Sequence, residues 1–464
     1  MLREGGNAFD AIVAAGFAAA VAEPGFTSLG GGGFLLARTA EAEEVLFDFF
    51  VDTPGRGAPG HDRDPHFLPV TIQFPGSEQV FNVGRGSVAV PGVLAGLLHV
   101  HRRLGRLSLR SVVAPAAVLA RGGVVVTGLQ AYVLGLLTPI LGLEGGHLYT
   151  PSGRAPAEGE RLRNPDLAAF LEALPEDGGS RFYSGELAAR IVGDMHQGQG
   201  LLTADDLAAY RVLEREPLEV EYRDRRVLTN PAPSWGGGLV AFGLDELARS
   251  DLPRLEPDGP EHAVALAATL EAMERHHVAG AVRGFSRGTT HASVADAHGN
   301  VASMTTSNGE GSGYVVPGAG IMLNNMLGED DLHPDGFHSS PPGQRVASMM
   351  SPSLIEDEAG PDLVLGSGGS KRIRTAVLQV AQRSVDFGTP LPQAVAAPRM
   401  HWDGELLQVE PGLAEATLAA LRHRWPVNLW PEPNLYFGGV HAVAPRRGQA
   451  AGDARRGGAA QIVA

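Results

Sequence analysis

The sequence predicts a layered α+β fold, and three observations carry that prediction. Residues 7–22 form an alanine-rich stretch that is apolar nearly all round apart from Asp10, as expected of a helix between layers. A series of helical stretches occupies the middle of the chain. After residue 289 the character changes to β-prone runs broken by polar turns.

Element by element, Asn7 is the N-cap candidate of the first helix. A glycine run at residues 29–33 leads into two apolar runs, 34–37 and 45–51, which an acidic turn at 41–44 joins as a β-hairpin. Helices are expected at residues 91–103 and 109–120, then a Gly/Pro-rich surface connection to about residue 165. Further helices are expected at 165–174, 185–195 and 203–210, the last opened by Thr203 with acids in its first turn. Residues 218–222 alternate apolar and charged side chains as a half-buried strand does. Residues 230–238 read as a rigid turn followed by a flexible one, with two helices after it to about Val282. Residues 290–295 and 301–307 flank a DAHGN turn and read as a second hairpin.

Composition narrows the function. With 464 residues, 44% of them hydrophobic, the chain is long enough for one large layered core or two smaller ones. A net charge of −15 repels a phosphate backbone and argues against nucleic acid as a partner. The absence of cysteine removes disulfides, thiolate zinc sites and a Cys nucleophile. No apolar run approaches the roughly 18 residues of a membrane span, and no signal-peptide pattern is visible, so a cytoplasmic location is the default expectation. Gly84-Arg85-Gly86 lacks the third glycine of a dinucleotide fingerprint, and Pro91 follows almost at once. His276 with His277, and His333 with His338, lack metal-pair spacing and read as solvated histidines. No cofactor or metal is expected. Lys371, the single lysine, reads as structural or electrostatic rather than as a Schiff-base former.

Taken alone, Thr289-Thr290-His291 is the start of a strand. Its context is an ordered set of motifs: GGNAFDA at 5–11, LGGGGF at 29–34, VPGVLAG at 90–96, FYSG at 182–185, LLTADDLAAY at 201–210 and PAPSWGGG at 231–238. TTHASVADAHGN at 289–300, LNN at 323–325, MSPS at 350–353, GSGGSKRIRTAVLQ at 366–379 and APRMH at 397–401 continue the set. Over nearly its whole length the chain thereby resembles the γ-glutamyltransferase family.

The resemblance implies a four-layer αββα sandwich of the N-terminal-nucleophile kind and a precursor that cuts itself before Thr289. Residues 1–288 and 289–464 would then be two fragments that together form one core. A chain-terminal threonine suits acyl transfer because its α-amine, which titrates at about 7.7 to 8.0 in model peptides, is a general base on the same residue as the hydroxyl. By the same resemblance Gly368 and Gly369 form the oxyanion hole, Ser307 supports the nucleophile, and Asn308, Glu329 and Ser348 meet the substrate. A one-residue shift would put Asp330 in place of Glu329.

The family's glutamyl clamp is altered. Phe50 stands where an arginine grips the α-carboxylate, and Met326 and Met349 replace polar neighbours, which makes the expected pocket more apolar. Arg56, Arg85, Arg345 and Arg372 are candidate replacement cations. The expectation is an amide hydrolase or acyltransferase acting on a γ-glutamyl or related acyl amide. The alternatives are an acylase for a glutaryl-like group and an uncut, inactive homologue serving as a binding or structural protein.

Overall fold

The computed structural model describes residues 1–57, 66–74, 77–276, 288–333 and 336–463, with the side chains of residues 74, 77 and 331 outside the description. The first helix spans Ala8–Ala22. Asn7 caps it by accepting from the Phe9 and Asp10 amides at 3.0 and 2.9 Å, while the Asp10 carboxylate accepts from the Asn7 amide at 2.9 Å. Asp10 also accepts from the amides of Arg106 and Leu107, so the one acid of this buried helix is fully engaged.

Among the described residues, one antiparallel sheet has five strands in the order Thr290–Ala295, Val301–Ser307, Gly32–Arg38, Glu44–Phe49 and Leu213–Arg215. A second has six, in the order Gln449–Ala451, Gly439–Ala444, Gly360–Gly368, Ser353–Asp357, Arg225–Thr229 and Leu218–Tyr222. The period of two along a strand divides the first sheet's side chains between two cores. Leu35, Phe47 and Phe49 pack towards helices Ala8–Ala22, Val93–Leu104 and Leu109–Gly122. Leu36, Leu46 and Phe50 join Leu354, Val364 and the helices Trp235–Ala248 and Arg372–Asp386. The result is helix, sheet, sheet, helix, and the Ser303 hydroxyl crosses between the sheets to donate to the Leu365 carbonyl at 2.9 Å.

Two expectations change. Residues 121–165 are not merely a surface connection: Gly128–Leu136, Thr138–Leu141 and Gly146–Tyr149 are helical, and Leu134, Ile140 and Leu141 are buried against Phe26 and Met322. Thr127 and Gln130 form a capping box that starts the first of these helices, a signal the glycines and prolines obscured. The glycines at 236–238 are not a flexible turn but the first turns of the Trp235–Ala248 helix. A methyl on Gly236 would stand 2.1 Å from the Met349 carbonyl, and one on Gly237 2.0 Å from that of Asn230, so close backbone approach demands them. Finally, the hairpin strands Leu68–Phe74 and Ser77–Val83, and the strand Arg225–Thr229, carry no pattern clear enough to be read from sequence. The expected helix end near Val282, and His277, lie outside the described residues.

Candidate active site

Thr289 directly precedes the edge strand Thr290–Ala295. Thr290 pairs with Thr306, so one step further along the antiparallel ladder Thr289 comes opposite Ser307. The Ser307 hydroxyl donates to the Gly288 carbonyl, which belongs to the bond expected to break, and accepts from the Gly309 amide at 2.9 Å. A methyl on Gly31 would stand 2.1 Å from the Ser307 carbonyl, so the glycine run at residues 29–33 lets the hairpin lie against the strand carrying Ser307.

The second sheet supplies the facing wall. Its strand Gly360–Gly368 ends against Thr289: a methyl on Gly368 would stand 2.3 Å from the Thr289 carbonyl. The chain then turns through Gly369 at φ +125° and Ser370 at φ +51° into the helix Arg372–Asp386, whose positive dipole end lies beside the turn. His291, two residues past Thr289, is buried between the sheets with its ring nitrogens 2.8 Å from the Thr305 hydroxyl and 2.9 Å from that of Ser293. Burial, reinforced by neighbouring His441, holds its pKa well below the usual histidine value, so it is neutral.

A narrow cavity of about 30 Å³ brings together Thr289, Ser307, Glu329 and Ser348 with Phe50, Met326 and Met349. Leu332, Met350, Ser370 and Ile373 complete its walls, and sequence reasoning did not find them. Of the two acids left open by the one-residue shift, Glu329 lines the cavity. Phe50 stacks on Phe34 with ring centroids 5.4 Å apart. Asn308 is not in the lining; it is buried behind Ser307, with its amide nitrogen 3.4 Å from the Leu323 carbonyl.

The four arginines considered as replacement cations do not line this cavity. Arg345 lies behind Phe50, donating to its carbonyl, to Asp48 at 3.2 Å and to the Tyr210 hydroxyl at 3.0 Å, and pairing with Asp52 at 2.9 Å. Burial raises the Asp52 carboxyl to about 6 despite that cation. Arg85 pairs with Glu144, Arg56 reaches the Gly343 carbonyl, and Arg372 stacks over Tyr436. Of the histidines expected to be solvated, His276 is exposed, stacking on Phe242, and His338 is exposed, whereas His333 is buried and bonded to the Met326 carbonyl at 3.0 Å. Sequence reasoning also missed Arg456, whose guanidinium approaches the Thr289 carbonyl at 3.5 Å from 167 positions away. No local pattern marks a residue brought in from that distance.

Two antiparallel sheets face to face between helical layers are the four-layer sandwich of the N-terminal-nucleophile hydrolases, and Thr289 stands at the head of an edge strand beside a glycine turn of the opposing sheet. The family model described as gamma-glutamyltranspeptidase matches residues 1–284 and 275–463. The chain belongs to the gamma-glutamyltranspeptidase family. It is 32% identical to the acylase ACY 1 proenzyme of Pseudomonas sp. strain SE83, over 91% of this chain and 83% of that protein. It is 30% identical to the glutathione hydrolase proenzyme of Escherichia coli K12, over 91% of this chain and 82% of that one. Among solved structures, the cephalosporin acylase from Bacillus halodurans superposes with a TM-score of 0.79 at 26% identity, covering 99% of this chain and 92% of its own. Among the described residues, no helix is long and apolar enough to cross a membrane.

Proposed function

We propose that the chain cuts itself at the Gly288-Thr289 bond and then works as an N-terminal-threonine amide hydrolase or acyltransferase. The observation that supports this reading most is that the Ser307 hydroxyl donates to the Gly288 carbonyl of the Gly288-Thr289 bond while Gly368 abuts the carbonyl of Thr289 itself. In the uncut chain the Thr289 nitrogen is an amide and cannot act as a base. The Ser307 hydroxyl polarises the Gly288 carbonyl for attack by the Thr289 hydroxyl; the Gly288–Thr289 C–N bond breaks as the hydroxyl proton passes to the departing nitrogen, and water hydrolyses the resulting ester to a Gly288 carboxylate and a free Thr289 hydroxyl. The freed α-amine then takes the proton of the Thr289 hydroxyl as it attacks a substrate amide, and the Gly368 and Gly369 amides receive the developing oxyanion. The acyl-enzyme ester finally passes its acyl group to water or an amine.

For the substrate, a γ-glutamyl compound is the reading that the family and its glutathione hydrolase members support. An acylase reading has its own support in this chain. Phe50 removes the bidentate carboxylate fork, a loss on the order of 2 to 5 kcal/mol for a buried pair. Met326 and Met349 line the cavity with unbranched side chains able to move aside for an apolar acyl group. Glu329 is the acid available for a substrate amine, and Ser348 a hydroxyl for its polar edge. Mass spectrometry of freshly purified, active protein tests the cleavage: fragments 1–288 and 289–464 are expected, and an active intact chain refutes it. Turnover of γ-glutamyl, glutaryl and simple acyl anilides separates the two substrate readings.

A further inference from the structure

Arg456 closes the short turn Ala454–Arg456 near the end of the chain and is buried. Besides its approach to the Thr289 carbonyl, it donates to the Leu435 carbonyl at 3.2 Å and lies 5.6 Å from the centre of the Phe26 ring. Methyl groups on Gly368 and Gly369 would each stand 3.4 Å from one of its terminal nitrogens. One buried cation therefore touches both the nucleophile's backbone and the glycine turn facing it. Burial lowers its pKa to about 10, which leaves it charged at neutral pH. Glu23, just past the first helix, also belongs to this arrangement: burial raises its carboxyl pKa, while a bond to the Thr290 side chain and the charge of Arg456 favour its ionised form.

We propose that Arg456 is a positioning residue for the chain-terminal threonine, holding its carbonyl and keeping its α-amine in the unprotonated, basic form at neutral pH. The proposal rests on the reading of Thr289 as nucleophile. Covalent geometry puts the Thr289 nitrogen within about 7 Å of the guanidinium, and a like charge at that range disfavours the ammonium form. Glu23 acts in the opposite sense. The other charged or titratable groups around Thr289 are Glu329 across the cavity, Lys371 and Arg372 after the glycine turn, and His291, held neutral, in the same strand. Asp453 and Arg399 bear on Arg456 from behind. Three cations therefore lie on the glycine-turn side, with Arg456 the one that touches Thr289.

The test is the pH dependence of kcat/KM, measured on cleaved enzyme with whichever acyl anilide the wild type turns over. Its acid limb reports the α-amine. Arg456→Gln is expected to move that limb up by about one pH unit, Arg456→Lys to restore it, and Glu23→Gln to move it down. If Arg456→Gln fails to fold or to cut itself, Glu23→Gln decides alone. An unmoved limb in Glu23→Gln, or equal shifts in the Gln and Lys variants of Arg456, overturns the proposal. Turnover by an intact wild-type chain overturns the Thr289 reading beneath it, and is visible before any variant is made.

Discussion

The two walls of the cavity differ in kind. The wall carrying Thr289 and Ser307 is backed by backbone in contact with backbone, where a single methyl on Gly31 or Gly368 has no room. The wall carrying Phe50, Met326 and Met349 is built from side chains, two of them flexible. Backbone geometry tolerates little change without loss of the reaction, whereas a side-chain wall can be rebuilt while the reaction survives. The difference teaches that this chain's membership of its family is a firmer guide to how it reacts than to which acyl group it accepts.

The comparison breaks most readily at Thr289. Thr289→Ala removes the hydroxyl proposed for both cleavage and turnover; a single band on a denaturing gel and a loss of turnover of more than about 10³-fold are expected. Gly368→Ala places a methyl 2.3 Å from the Thr289 carbonyl and tilts the expected oxyanion donors. A fall of roughly 10²- to 10³-fold in kcat is expected, with KM changed little. Ser307→Ala leaves the Gly288 carbonyl without its donor and slows cleavage about 10- to 100-fold, followed as fragment appearance over time, whereas Ser307→Thr retains the rate.

On the side-chain wall the same comparison is sharpened rather than broken. Met349→Ala enlarges the cavity, costing about 2 to 4 kcal/mol of stability by denaturant titration, while shifting preference towards bulkier acyl anilides with cleavage intact. The smallest effect concerns pH. Burial depresses His291 well below the usual histidine value and His441 to about 4. The unfolded chain therefore takes up protons below about 6.5 that the folded chain refuses. Stability is full above that pH and falls as pH drops towards 4, as melting temperatures across pH 8 to 4.5 should record. Replacing His441 by Gln should flatten that slope.

The sequence made the first helix, the hairpin of Gly32–Arg38 with Glu44–Phe49, and the hairpin of Thr290–Ala295 with Val301–Ser307 legible, because capping, turn chemistry and period are local. It was least legible where glycine serves packing instead of turning, as at Gly236 and Gly237. Of the site, the motif order pointed to Thr289, Ser307, Glu329, Ser348 and the glycine pair. Asn308, in a loop two residues shorter than the family's usual one, turned out to lie behind the cavity.

By itself, then, the sequence determined the hairpin that carries Thr289 and Ser307, the residue types expected to react, and the presence of Phe50 where a charged clamp is expected, since each is encoded within a short stretch. Only the tertiary structure decided that Arg345 is tied to Asp48 and Asp52 behind Phe50, and that Arg456 and Glu23 flank the nucleophile. Which charge reaches which atom depends on how two sheets from distant parts of the chain meet, and electrostatics at a few ångströms leaves no periodic trace in the order of residues.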